Sequence, residues 1–390
     1  MKKIILFFTI TICAVILSVP VGIAAFAENG EFSDNYPSRS TYLIDYDTGT
    51  VLVDKNSEEK RPIASMVKIM TLLLTFNEID AGRLTFDEKI IVSPTAAGMG
   101  GSQMFLDAGK EYPVADLIKG VTVCSANDAA VALGERIAGT NEGFVTKMND
   151  YAKELGMENT VFCNATGLPN SGEQYSTAKD VSIMFKKLLE KPKYYEFAGI
   201  RLENYSHPDG RVTEMVNTNK LIRFCPECDA GKTGYTDEAK YCLAASAKKN
   251  DMRVVGVVLG SDTGKERFRE MSDLFKYAFA NYEVKTYVKA GERIENEVKV
   301  AKAKENGIDL YAEKDVKIFL RKGQSTHPSL RIDINDLLTA PIEKGAVVGK
   351  IVLSINDVDT CESDLICGKT VEKRGYGDSL NDVLEKWVRN

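Results

Sequence analysis

Strand-like segments at 41–46, 50–53, 241–247 and 253–259 enclose a long stretch that reads almost wholly as helices, and this arrangement leaves few folds open. The first two segments alternate or carry β-branched residues around Asp47-Thr48-Gly49, which marks a hairpin. The last two are apolar runs separated by Lys249-Asn250-Asp251. Helical patterns fall at 114–123, 128–137, 142–155, 177–189 and 265–282, with Gly139 ending the second and Pro192 closing the fourth. In 142–155, Phe144, Val145, Met148, Tyr151, Ala152 and Leu155 fall on one helical face. Strands at both ends of such a segment imply one sheet assembled from both ends, carrying a helical insertion. The fold class is α+β, with any site expected where sheet and insertion meet.

From about residue 283 the texture changes to short alternating segments at 297–300, 316–320, 330–334 and 347–353. They read as a separate small β-rich domain without a cluster of catalytic residue types. A chain of 390 residues, 44% hydrophobic, can build two such cores. The expected division is 1–27 as a signal peptide, 28–282 as the main domain, 283–371 as the β-rich domain and 372–390 as a tail. Lys2-Lys3, an apolar stretch over 4–19 and Ala25-Phe26-Ala27 give the charged start, apolar middle and small-residue cleavage site of a secretory signal, cut after Ala27. Cys13 lacks the small residues before it that a lipoprotein anchor needs.

Cleavage removes two lysines and takes the formal charge from −6 to −8. An acidic chain with no basic run gives no reason to expect a nucleic-acid partner. Seven cysteines remain, with only His207 and His327 to join them, so no metal is expected. A local disulfide between Cys225 and Cys228, or between Cys361 and Cys367, and a set of reduced buried thiols both fit the spacing.

Within 63–74, an otherwise apolar run, Ser65-Met66-Val67-Lys68 places a lysine where burial would be costly. On a helix, positions i and i+3 share a face, roughly 5–6 Å apart at Cβ. Burial disfavours the ammonium form, and a neutral amine beside a hydroxyl is a general base beside a nucleophile. Ser125-Ala126-Asn127 and Lys232-Thr233-Gly234 follow at separations of 60 and 107 residues. Any one of these triplets arises by chance. All three, in this order, form the signature shared by β-lactamases and penicillin-binding proteins.

The chain resembles the low-molecular-mass penicillin-binding proteins, the serine-type D-alanyl-D-alanine carboxypeptidases, and among them the sporulation-associated kind of Gram-positive bacteria. The likeness runs from about Ser40 to Val371. Beyond the three motifs it includes Gly101-Ser102-Gln103-Met104-Phe105-Leu106, Phe162-Cys163-Asn164-Ala165-Thr166-Gly167-Leu168 and Tyr175-Ser176-Thr177-Ala178-Lys179-Asp180. The resemblance implies a β-lactamase/penicillin-binding-protein-like catalytic domain followed by a β-rich domain, and no cofactor. It implies that Ser65 is the acylated nucleophile, Lys68 its base and Ser125 a proton relay. Asn127 would hold the substrate backbone, and Lys232 and Thr233 its terminal carboxylate. Gly234 would let the substrate lie against the strand edge, and the N–H groups of Ser65 and Tyr235 would form an oxyanion hole. Arg267 stands where an arginine steadies the same carboxylate. The implied partners are peptidoglycan stem peptides ending in D-Ala-D-Ala and β-lactam antibiotics, at the cell envelope.

Three positions depart from the family pattern: Val67 replaces a threonine, Asp229-Ala230-Gly231 reverses the usual order before Lys232, and Gln174 replaces a histidine. A β-lactamase is the rival within the superfamily, but no E-x-x-L-N string occurs between Asn127 and Lys232. A non-catalytic wall-binding or penicillin-sensing protein would have no reason to keep Ser65, Lys68, Ser125, Asn127 and Lys232 together. In the tail, Leu380, Val383, Leu384, Trp387 and Val388 make one apolar helical face behind a capping box of Ser379 and Asp382. That face implies a weak contact with the outer surface of the cytoplasmic membrane.

Overall fold

The computed structural model describes residues 32–33, 35–169, 172–304, 307–335 and 337–375. The signal segment 1–27 and the apolar tail face from Leu380 to Val388 lie outside the described residues. All elements below belong to the unit that begins at Asn35.

The chain opens on the expected hairpin, β1 (Ser40–Asp45) and β2 (Val51–Lys55). A short 3₁₀ turn over Ala64–Val67 then leads into α1 (Lys68–Asp80). β3 (Lys89–Ile91), α2 (Pro94–Ala97) and β4 (Glu111–Pro113) precede α3 (Val114–Val123), α4 (Asn127–Ala138) and α5 (Asn141–Glu154). α6 (Ala178–Leu189), α7 (Pro192–Ala198), a hairpin of β5 (Leu202–Ser206) and β6 (Val212–Val216), and α8 (Leu221–Phe224) complete the insertion. The chain then returns to the sheet as β7 (Cys228–Thr236), β8 (Lys240–Lys249) and β9 (Met252–Ser261), followed by α9 (Gly264–Asn281). Side-chain caps start several helices where expected: Thr140 for α5, Thr177 for α6 and Thr263 for α9.

The sheet order β2-β1-β9-β8-β7 joins the two ends of the segment, and its paired neighbours are antiparallel. Both faces are covered, which explains why β8 and β9 read as continuous apolar runs. A side chain at Gly256 would strike Met271 of α9, so alternation turns Val254 and Val258 to that face. Val255, Val257 and Leu259 face the opposite way, into the helical core. α1 lies at the centre of that core. Residues 68–76 are all buried, and the helix packs against α4 and α6.

A second hydrophobic cluster, from Val288 to Val371, is separate from the first. It is built from β10 (Tyr282–Val288), β11 (Arg293–Val298), β12 (Ile308–Ala312), β13 (Val316–Arg321), β14 (Pro328–Ile334), β15 (Val347–Ile355) and β16 (Val358–Cys367). Five of these strands form a sheet in the order β11-β12-β16-β15-β14. Tyr282 stacks on Phe319, and Lys317 reaches across to Asp47 at 2.7 Å.

The disulfide alternatives do not occur: Cys124, Cys163, Cys225, Cys228, Cys242, Cys361 and Cys367 are all free thiols. Cys225 points its sulfur at Glu227 and Cys228 at the Ala230 carbonyl, so the two thiols turn apart.

Candidate active site

Ser65 does not lie in α1 as the apolar run suggested. It sits in the preceding 3₁₀ turn, and Lys68 is the first residue of the helix. The i+3 relation survives because a 3₁₀ turn superposes positions three apart. Lys68 Nζ lies 2.9 Å from Ser65 Oγ and donates to the Thr166 carbonyl at 2.7 Å. The lysine is wholly buried, and burial first, then the nearby Lys232 charge, hold its pKa well below the ordinary lysine value. The one carboxylate acting on Lys68 is Asp128, whose oxygens are taken by the N–H groups of Met104, Leu106 and Ala129. The amine therefore has no salt-bridge partner among the described residues.

The backbone around the serine is unusual. Ala64 has φ 47°, in the left-handed region that costs a residue with a Cβ roughly 1–2 kcal/mol. Gly167 lies directly over its carbonyl: a Cβ there would collide with Ala64 oxygen. Ser125, at the corner between α3 and α4, is also left-handed, with φ 63°. That conformation presents its hydroxyl to Lys232, whose Nζ donates to Ser125 Oγ at 2.7 Å and to the Thr233 carbonyl at 3.0 Å. Lys232 is fully buried, and burial brings its pKa down to about 7, with Arg267 pushing the same way. Cys124 lies close enough to affect both lysines, but burial raises its thiol to about 11 and keeps it neutral.

Asn127 begins α4 and donates to the Gly100 carbonyl at 2.6 Å, while its buried Oδ1 has no hydrogen-bond partner. Thr233 and Gly234 lie on β7, the terminal strand of the sheet. Gly234 has a second reason to lack a side chain. A Cβ there would come within 2.6 Å of the Ile63 carbonyl, so the missing side chain admits the turn that carries Ser65. Tyr235 follows Gly234 on β7, is half-exposed and donates its hydroxyl to Asp237. Arg267, in the first turn of α9, is buried and donates through Nη1 to the carbonyls of Gly234 and Cys242. Its Nε has no hydrogen-bond partner, and no carboxylate pairs with it among the described residues. Burial lowers it to about 10, so it stays charged at neutral pH.

Ser65, Lys68, Ser125 and Lys232 are thus joined in two lysine–serine pairs. Asn127 flanks them, and Gly234 and Arg267 tie the turn, strand and helix together. Sequence reasoning assigned no role to Thr166, Gly167 or Asp128. The segments containing all three had been noted, but a carbonyl acceptor or a close backbone approach leaves no side-chain signal.

Two buried lysines, each held against a serine, define a serine hydrolase built on a penicillin-binding-protein-like fold. The D-alanyl-D-alanine carboxypeptidase family model (peptidase family S11) matches residues 27–263, and that of the penicillin-binding protein 5 C-terminal domain matches 282–373. The chain belongs to this carboxypeptidase family. It is 40% identical to the D-alanyl-D-alanine carboxypeptidase DacF of Bacillus subtilis, over 91% of each chain. It is 33% identical to DacC of Escherichia coli, over 92% of this chain and 90% of that one. The crystal structure of penicillin binding protein 5 from Haemophilus influenzae superposes with a TM-score of 0.68 at 31% identity, covering 87% of this chain and 99% of that one.

Proposed function

We propose that this enzyme removes the terminal D-alanine from peptidoglycan stem peptides through an acyl-enzyme on Ser65, and that penicillin traps the same serine. The single observation that supports it is the 2.9 Å approach of a buried, charge-poor Lys68 to Ser65 Oγ. Lys68 takes the hydroxyl proton as Ser65 Oγ attacks the carbonyl carbon of the penultimate D-alanine. The oxyanion is received by the N–H groups of Ser65 and Tyr235, a kind of contact worth roughly 3–4 kcal/mol of barrier per donor elsewhere. The amide C–N bond then breaks, the leaving amine gains a proton through Ser125 and Lys232, and D-alanine departs. Water attacks the ester carbonyl, loses its proton to the same basic groups and restores the Ser65 hydroxyl. Lys232, Thr233 and Arg267 hold the terminal carboxylate, and Asn127 the peptide backbone.

The β-lactamase alternative is weakened by the absence of an acidic partner on Lys68 or Ser65 among the described residues. The test is D-alanine release from diacetyl-Lys-D-Ala-D-Ala together with peptide mapping of a labelled penicillin adduct. Release of D-alanine, with the label on Ser65 and both lost in Ser65→Ala, is expected. A label on any other serine would overturn the assignment.

The catalytic domain is taken as 28–282 and the β-rich domain as 283–371, a division favoured by the two separate cores and by the junction of α9 with β10. Export by the 1–27 signal places the enzyme at the cell envelope. No helix among the described residues is long and apolar enough to cross a membrane. The tail face carrying Trp387 supplies a weak peripheral contact, to be checked by comparing vesicle sedimentation of the mature chain with one ending at Tyr376. Equal partitioning would exclude the tail as an anchor.

A further inference from the structure

β14 ends the sheet of the β-rich domain, and no strand pairs with its outer margin among the described residues. Such margins are ordinarily blunted by bulges, inward-pointing charges or a covering segment. β11, at the opposite margin, is broken by two register shifts. β14 instead runs against β15 from Pro328 to Ile334 without a shift. Leu330 and Ile332 stand opposite Leu353 and Ile351 and share their face of the sheet. Leu353 and Ile351 are buried, with β13 packed on β15 and β16, whereas Leu330 and Ile332 remain 46% and 38% exposed. The apolar face therefore runs on past its cover.

The backbone at this margin has a definite phase. Asn335 donates its N–H to the Val348 carbonyl at 3.0 Å, and Asn356 donates to the His327 carbonyl at 3.2 Å. In an antiparallel pair such bonds fall on alternate residues, so Ser329, Arg331 and Asp333 turn their peptide groups toward β15. Leu330, Ile332 and Ile334 turn theirs outward, and an added strand must bond to those three.

Charge then selects the strand and its register. On the outer face Arg331 and Asp333 are exposed and bond to each other at 2.9 Å. A second β14 laid antiparallel, with Ile332 opposite Ile332, sets Leu330 against Ile334 and Arg331 against Asp333, each twice over. Every outward-turned residue finds a bonding partner, and the apolar stripe becomes continuous across the two copies. Sliding by two residues in one direction sets Arg331 against Arg331, and in the other Asp333 against Asp333. Like charges directly opposite are destabilising.

We propose that β14 pairs antiparallel with the β14 of a second copy of this chain, centred on Ile332, so that two five-stranded sheets join edge to edge. The contact is small and belongs to the weak, reversible class, so association depends on concentration.

The experiment is sedimentation velocity of the mature chain from micromolar to millimolar concentration, where a reversible monomer–dimer equilibrium is expected. Arg331→Asp and Asp333→Arg each set like charges opposite one another at two places, and each should weaken association by at least about tenfold. An equimolar mixture of the two variants should associate as well as the unaltered chain, because every reversed charge then meets its opposite. That recovery also shows both variants to be folded. Ile332→Lys sets two ammonium groups face to face and should abolish the dimer. A monomer at every concentration would leave this edge to some other chain and overturns the proposal. A dimer that the single reversals do not weaken, or that the mixture does not recover, overturns it as well.

Discussion

Gly167 lies so close over the carbonyl of Ala64 that no side chain fits between them. The contact clamps the left-handed residue that precedes the nucleophile, and Gly167 itself has φ 81°, where a Cβ is strained in any case. Gly167→Ala should cost about 1–3 kcal/mol of stability, as overpacking does. It should also displace Ser65 from Lys68 and slow penicillin acylation by at least about tenfold. Thermal melting and acylation rates check both. Normal acylation in a destabilised variant would mean the clamp serves folding alone.

Lys68→Ala removes the proposed base while leaving the serine in its turn. General-base catalysis contributes about 10²–10⁴-fold, and the acylation rate should fall by that amount. A stopped-flow rate within threefold of the unaltered enzyme would assign the proton to another group.

The two buried lysines set opposite pH limits. In the proposed mechanism Lys68 must be neutral to act, and Lys232 must be charged to hold a carboxylate. The rate kcat/KM should therefore rise as Lys68 loses its proton and fall as Lys232 does so, near its value of about 7. In Lys232→Arg the descending limb should shift to higher pH, and an unmoved limb would assign it to another group. Stability has its own slope. The Lys232 pKa is about 7 folded and 10.5 in its ordinary state, so between those values the unfolded chain binds more protons. Its contribution to stability grows as pH rises through that window and is lost as pH falls through about 7. Chemical denaturation at pH 7 and pH 9, in Lys232→Met beside the unaltered protein, measures the difference.

Arg267 is held by two carbonyls and carries a positive charge with no carboxylate to balance it among the described residues. A charge-assisted bond is worth about 1.5–3 kcal/mol. Arg267→Gln should lower kcat/KM for peptides with a free terminal carboxylate by about 10–100-fold, and far less for amidated analogues. Equal losses on both substrates would confine Arg267 to bracing β7 against α9.

The thiols offer a simple count. The mature chain, unfolded without reductant, should react as seven free thiols in a colorimetric titration. A count of five would reveal one disulfide and overturn the free state of the pair it contains.

Much of this was legible in the sequence. Residues 241–247 and 253–259 read as strands because both their faces are covered, and the periodic runs over 177–189 and 265–282 gave α6 and α9 to within one residue at each end. The pairing of Ser65 with Lys68 followed from their i+3 spacing in the company of the other two motifs, and the two side chains meet even though the turn is 3₁₀. β7 was harder to read, since Asp229, Gly231, Lys232 and Gly234 give it little strand propensity and its place is set by neighbours. The β5–β6 hairpin was missed because three of its outward residues, Leu202, Val212 and Val216, are apolar and blur the alternation. The Thr166 carbonyl lies 98 residues from the lysine it restrains, and no local pattern reports such a contact.

β7 ends its sheet, so one side of its backbone has no strand to pair with. An uncovered strand margin invites other chains to add themselves, the first step of aggregation. Here that margin adjoins the turn bearing Ser65, beside a half-exposed Tyr235 and a charged cleft. A short peptide end can lie along such a margin, whereas the turn packed against Gly234 leaves a long strand from a neighbouring molecule no continuous edge to pair with. Selectivity for the tip of a peptide and resistance to self-stitching thus come from one piece of architecture.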